Sequence, residues 1–246
     1  MVREKIKIEN ISKNFGGVKA INHLNLSFNP GEITGLIGPN GSGKTTLINL
    51  LTGLFPFDTG VVIFGEGLKI SKIRTHQILT YGVTRTFQDV RLFGQMSVLD
   101  NVLLTLTERN VWGALFEVHK EWHLKEAEEV LGKVGLLEKK DNLAEELSYG
   151  QRKLLEVGRA LATKADVYFF DEPFAGLFPE MVKYLSKIML ELKDAGKTVI
   201  LVEHNMDLIR KLSDRVIVLD SGELLAEGKP EEALSKPEVL EAYLGE

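Results

Sequence analysis

Gly38-Pro39-Asn40-Gly41-Ser42-Gly43-Lys44-Thr45-Thr46 decides how the rest of the chain is read. The stretch fits G-x-x-x-x-G-K-[ST], a loop whose backbone wraps phosphate groups. Glycines let the chain curl so that successive N–H groups point at phosphate oxygens, and the helix that follows offers its positive end to the same anion. Lys44 can reach the β- and γ-phosphates, and the Thr45 hydroxyl is placed to ligate Mg²⁺. The flanks suit this reading. Residues 32–37 (EITGLI) read as a strand and residues 46–51 (TLINLL) as a helix. Strand, loop, helix is the setting the loop requires, and it implies nucleotide binding.

Working outward, residues 5–28 alternate apolar and polar positions through Ile6, Ile8 and Ile11, then Leu24, Leu26 and Phe28. A period of two suits antiparallel strands with one wet face. Asn14-Phe15-Gly16-Gly17 reads as a turn carrying an aromatic ring. Phe15 is suited to stacking on a base, or to ordinary packing. Strands are expected at residues 61–64, 83–87, 167–170, 198–202 and 215–219, and helices at 71–79, 179–193 and after Asn205. From residue 97 to about 144 the pattern is helical, and Ser97 with Asp100 forms a capping box for a helix over 98–106. Alternating strands and helices predict an α/β fold with a mostly parallel sheet covered on both faces.

In such sheets ligands sit beyond the carboxyl ends of the strands. Gln88, Asp171, Glu172 and His204 all directly or closely follow apolar strands. Asp171 can hold Mg²⁺ through water, and Glu172 is then placed to orient or deprotonate an attacking water. Gln88 can ligate Mg²⁺ or contact the water, and His204 can donate to the γ-phosphate. Each of these two is weak alone and gains only from its position. Leu147-Ser148-Tyr149-Gly150-Gln151 opens a helix and offers either a second phosphate site or a simple N-cap.

Bulk properties bound the alternatives. A chain of 246 residues with net charge −5 lacks the basic surplus of a general nucleic-acid binder. The absence of cysteine rules out disulfides and thiol ligation. The start, MVREKIKIEN, lacks the apolar core of a signal peptide, and no run of about eighteen apolar residues appears. The expectation is a soluble intracellular protein able to dock on a membrane partner.

The ordered set Phe15, GPNGSGKTT, Gln88, LSYGQ, VYFFDE and His204 resembles the ATP-binding subunits of ABC transporters, over essentially the whole chain. The resemblance implies a single ATP-binding domain over residues 1–246: a nucleotide-binding core, an N-terminal antiparallel β subdomain and an inserted helical subdomain at about 97–144. It implies ATP hydrolysis coupled to transport, with ATP and Mg²⁺ as cofactors. Two subunits, identical or paralogous, would close head to tail on two nucleotides. Integral membrane permease subunits would hold the pair on the cytoplasmic face. Residue by residue, it assigns Phe15 to adenine, residues 38–46 to the phosphates, and Thr45, Gln88 and Asp171 to Mg²⁺. Glu172 becomes the general base and His204 the γ-phosphate contact, while Ser148, Gly150 and Gln151 touch the partner's ATP.

Two departures stand out. Tyr149 replaces the first glycine of the usual LSGGQ, and Phe178 replaces the acid of the usual SALD loop at residues 175–178. Residues 83–88 (VTRTFQ), Arg91-Leu92-Phe93, EPFAGL, EHNMDLI and the ending AYLGE look like the branched-chain amino-acid importer ATPases. The urea or amide importers and the lipopolysaccharide-export ATPase are close alternatives. Nucleic-acid ATPases of the same class usually carry long coiled coils, and no sustained heptads are present. Permease docking is expected in a groove between core and helical subdomain beside residues 88–93, through Val90, Leu92 and Phe93, with Trp112 and Phe116 as further candidates. The same side chains could instead pack into the subdomain core.

Overall fold

Ile6, Ile8 and Ile11 face Phe28, Leu26 and Leu24 across an antiparallel pair, β1 (Ile6–Phe15) and β2 (Val18–Phe28). The structure is a computed structural model that describes residues 5–65, 67–106 and 121–244. Trp112 and Phe116 lie outside these residues. The chain divides into two units, the first comprising Met1–Arg85, Asp166–Glu172 and Met189–Glu246, the second Thr86–Ala165 and Pro173–Ile188.

The first unit holds both sheets. One is antiparallel, in the order β2, β1, β4 (Thr59–Phe64), β5 (Leu68–Ile70). The other runs β10 (Glu223–Gly228), β9 (Arg215–Asp220), β3 (Glu32–Ile37), β8 (Thr198–Val202), β7 (Val167–Asp171), β6 (Val83–Arg85). All its pairings are parallel except β9 with β10. Central parallel strands are covered on both faces and therefore read as unbroken apolar runs. Every residue of β7 and β8 is buried. One core joins the two sheets through α1 (Lys44–Leu51), and the Phe28 ring meets Phe169 edge-on at 6.3 Å.

The second unit packs α2 (Val98–Leu106), α3 (Glu121–Lys133) and α4 (Tyr149–Ala162) on one another. The Ser97 hydroxyl accepts from the Asp100 N–H at 3.0 Å and donates to its carboxylate at 2.7 Å, as a cap opening α2 should. Residues of α5 (Pro179–Asp194) are divided between the two units. Three short helices follow, α6 (Met206–Leu212), α7 (Pro230–Leu234) and α8 (Pro237–Leu244).

Three local expectations change. Asn14 and Phe15 belong to β1, and the turn is confined to Gly16 and Gly17. Residues 71–79 do not form an α-helix. A 3₁₀ helix over Thr75–Tyr81 stands there, none of it buried, so no apolar stripe selects the 3.6-residue period. Strand β6 ends at Arg85, two residues short of the expected end, and the Phe87 N–H beyond it goes to the Glu156 carboxylate.

Candidate nucleotide site

The phosphate loop is the exit of β3, which is clamped between β8 and β9. Gly38 has φ +149°, and a Cβ there would lie 2.1 Å from the Leu219 carbonyl oxygen. Gly43, the N-cap of α1, has φ +102°, and its Cβ would lie 2.7 Å from the Ala20 oxygen. A side chain at either position would push the loop off its neighbours. Lys44 is buried and donates to the Gly38 oxygen at 2.7 Å and the Pro39 oxygen at 2.8 Å. The first turn of α1 carries no acidic residue, and Gly43 supplies no side-chain cap to its amides. A helix end arranged this way attracts an anion. Thr45 is exposed at the start of that helix, and Asn40, Gly41, Ser42 and Thr46 complete the loop.

Asp171 ends β7 with 2% of its surface exposed. Arg85 Nη2 approaches Asp171 Oδ2 at 3.1 Å, while Nη1 donates to Asn49 Oδ1 at 2.6 Å and Thr52 Oγ1 at 3.3 Å. Glu172 follows at φ +48°, a left-handed conformation costing about 1–2 kcal/mol in a residue with a Cβ. Its N–H still bonds the Val202 oxygen at 2.9 Å, so the ladder runs one residue past β7 before the chain turns. Strain of this kind clusters at functional positions. His204 Nε2 and Glu172 Oε1 stand 2.9 Å apart, which joins the ends of β7 and β8. Asn205 caps α6 directly after His204, accepting from the Asp207 and Leu208 N–H groups.

Phe15 is 41% exposed at the end of β1, with its ring edge-on to Phe55 at 5.5 Å. Asp58 fastens this strand end. It accepts from Lys13 Nζ at 2.8 Å and the Asn14 N–H at 2.8 Å, and both hold its carboxyl below the ordinary range.

Phe15, residues 38–46, Asp171, Glu172 and His204 therefore all belong to the first unit, and Gln88, Ser148, Gly150 and Gln151 to the second. Ser148 and Gln151 form a reciprocal cap, Ser148 Oγ accepting from the Gln151 N–H and Gln151 Oε1 from the Ser148 N–H at 3.1 Å. Gly150 is buried, and a Cβ on it would meet the Met181 sulfur at 2.6 Å. The two departures from the family pattern lie in this unit too. The Tyr149 ring comes within 2.9 Å of where a Cβ on Gly176 would sit, and Phe178 is 74% exposed. Gln88 is exposed, three residues beyond β6. Side chains of α4 grip the backbone around it. Lys153 donates to the Gln88 oxygen at 3.3 Å, Glu156 accepts the Phe87 N–H at 3.0 Å, and Arg159 donates to the Arg91 oxygen at 2.6 Å. Burial pushes the Glu156 carboxyl up, against the opposing pull of the Phe87 N–H, Lys153 and Arg159. Phe93 is 51% exposed, whereas Val90 and Leu92 are half-buried.

Sequence reasoning missed Arg85, Asn49 and Glu156 as parts of this arrangement. The one available signal for Arg85 was a cation at the end of a short apolar strand.

Comparison with known proteins bears on the whole chain. The profile of the family described as "ABC transporter" matches residues 21–175. The high-affinity branched-chain amino acid transport ATP-binding protein LivG of Escherichia coli K12 is 37% identical, covering 100% of each chain. The probable branched-chain amino acid transport ATP-binding protein LivG of Archaeoglobus fulgidus is 41% identical over 98% of this chain and 95% of its own. Among solved structures, the ADP conformation of MJ1267, an ATP-binding cassette of an ABC transporter, aligns with a TM-score of 0.86 at 37% identity, covering 99% of this chain and 100% of that one. A dimeric post-hydrolysis state of the cassette MJ0796, bound to ADP and Pi, aligns at 0.79 and 26% identity over 92% of this chain and 98% of that one.

Proposed function

The chain belongs to the ABC transporter ATP-binding family, and from that premise we propose that it is the Mg²⁺-dependent ATPase subunit of an importer of branched-chain amino acids. One observation carries the enzymatic half of this reading. A single folded unit holds the phosphate loop on β3 and α1, and the Asp171, Glu172 and His204 cluster at the ends of β7 and β8. Full-length likeness to two branched-chain amino acid transport proteins supports the solute.

The donors on this chain suit Mg²⁺. Thr45 is a hydroxyl and Asp171 a carboxylate of the same unit, and Mg²⁺ takes hard oxygen ligands with few carboxylates, completing its shell with water and substrate phosphates. Bound there, the ion would neutralise charge on the β- and γ-phosphates. Backbone N–H groups of residues 40–46 and the Lys44 ammonium bind the phosphate oxygens, and Phe15 stacks on the adenine. Glu172 takes the proton from the attacking water at its carboxylate. His204, held 2.9 Å from that carboxylate, orients it and contacts the γ-phosphate. Gln88, Ser148, Gly150 and Gln151 have roles assigned by the family pattern. Gln88 serves Mg²⁺ and the permease, and the other three serve the nucleotide of a second subunit, identical or paralogous.

Among the described residues no helix is long and apolar enough to cross a membrane. In the family pattern, permease subunits hold such an ATPase at the membrane, on its cytoplasmic face. Proteoliposomes containing the subunit and its co-purifying permease test the solute. ATP-driven uptake of labelled leucine, competed by isoleucine and valine, is expected. Transport of urea or short amides in its place, or extraction of lipopolysaccharide, refutes the assignment.

A further inference from the structure

Thr45, Asn49 and Thr52 are spaced i, i+4 and i+7 along α1 and its C-cap, so they share one stripe of the helix. The top of that stripe is the hydroxyl assigned to Mg²⁺. The lower two positions are where Arg85 lands, 2.6 Å from Asn49 Oδ1 and 3.3 Å from Thr52 Oγ1. The other arm of the same guanidinium reaches Asp171 Oδ2 at 3.1 Å, with both side chains of the ion pair less than a tenth exposed. One rigid, planar group therefore spans from the helix that carries Thr45 to the strand end that carries Asp171.

We propose that Arg85 is a positioning residue for the metal site, holding the Asp171 carboxylate in register with Thr45 by bridging β7 to α1. The assignment rests on the reading of Asp171 as the Mg²⁺-side carboxylate. Its physical basis is the fork. A guanidinium presents its donors in fixed directions, so anchoring one arm on α1 fixes the other, and with it the plane of the carboxylate. A water-mediated metal contact demands that orientation, since groups behind a metal ligand set its direction. Lysine would keep the charge and lose the fork. The competing description is a structural ion pair, in which Arg85 merely neutralises a buried carboxylate.

Calorimetric titration of ATP into the full-length protein, in EDTA and then in Mg²⁺, separates the two. For Arg85→Met, metal-free ATP affinity should stay within about twofold of the parent, while the tightening produced by Mg²⁺ falls about tenfold, the loss typical of removing a group behind a metal ligand. Arg85→Lys should recover only part of that tightening. Asn49→Leu leaves the ion pair in place and removes the shorter of the two anchors on α1 and its C-cap, leaving the 3.3 Å contact with Thr52. It should reduce the Mg²⁺ effect in the same direction, and it serves as the second variant if Arg85→Met does not fold. Equal losses of metal-free and metal-loaded affinity, full recovery in Arg85→Lys, or a stronger Mg²⁺ effect in Arg85→Met would each overturn the proposal. The last would mean that Arg85 acts as a counter-charge weakening the site. Asp171→Asn is the control for the underlying reading. If it leaves the Mg²⁺ effect intact, the assignment of Asp171 fails and that of Arg85 with it. If it abolishes the effect while the Arg85 and Asn49 variants do not, only the proposal made here fails.

Discussion

Replacing Glu172 with Gln isolates the proton-accepting step from everything else this residue does. The backbone at position 172 sits at φ +48°, which Glu and Gln tolerate equally, so its strain cancels in the comparison. Gln keeps an oxygen able to meet His204 Nε2 at the 2.9 Å separation, and only the charge is lost. With 53% of the His204 side chain and 19% of that of Glu172 exposed, the charged part of this contact contributes below about 1 kcal/mol. A chain of this size should then lose no more than about 4 °C in Tm. Turnover behaves differently. A positioned general base contributes about 10²–10⁴-fold, or about 2.7–5.4 kcal/mol of barrier. Single-turnover ATP hydrolysis should slow by that factor with nucleotide affinity unchanged, and size exclusion with ATP and Mg²⁺ should show an accumulated dimer, because hydrolysis normally reopens it. His204→Ala, combined with Glu172→Gln, should add little further loss, since residues that act as a unit are not additive. Hydrolysis within about threefold of the parent rate, well short of the loss expected for a base, would remove Glu172 from that role.

Three further outcomes follow from other parts of the site. Lys44→Ala should weaken ATP binding at least about tenfold and stop hydrolysis, because it removes both the phosphate counter-charge and the donors to the Gly38 and Pro39 carbonyls; nucleotide titration reads this directly. Replacing Leu92 and Phe93 together with Ser should leave ATPase activity and Tm nearly intact while abolishing co-purification of the permease, and a large Tm loss with retained permease would make them core. Glu156→Gln should raise Tm at neutral pH. The folded-state pKa of Glu156 lies above its ordinary 4.5, so its contribution is fully favourable below that value and is lost as pH rises through the folded pKa. The advantage of Gln should therefore shrink in melts taken down toward pH 4.5, and an advantage independent of pH would refute the burial argument.

The features legible in the sequence are those whose physics is local. The phosphate loop depends on glycines and a lysine at fixed covalent spacing, and it is found where residues 38–46 placed it. The period-two alternation of Ile6, Ile8, Leu26 and Phe28, the unbroken apolar run of β7 and the capping pairs at Ser97 and Ser148 are local in the same sense. What the sequence could not show is which strands lie side by side, because apolar periodicity marks a buried strand without naming its neighbour. The order β8, β7, β6 is what brings Arg85 to Asp171 across a separation of 86 residues and His204 to Glu172 across 32. Strand β10 escaped notice because only one of its six residues is buried, and its antiparallel pairing with β9 supplies the order that its weak pattern lacks. The grip of α4 on the segment after β6 was likewise hidden, because the Glu156 carboxylate takes the Phe87 N–H across 69 residues of sequence. Local chemistry thus chose the groups proposed to meet the nucleotide, and the packing of distant strands chose which side chains hold those groups in place.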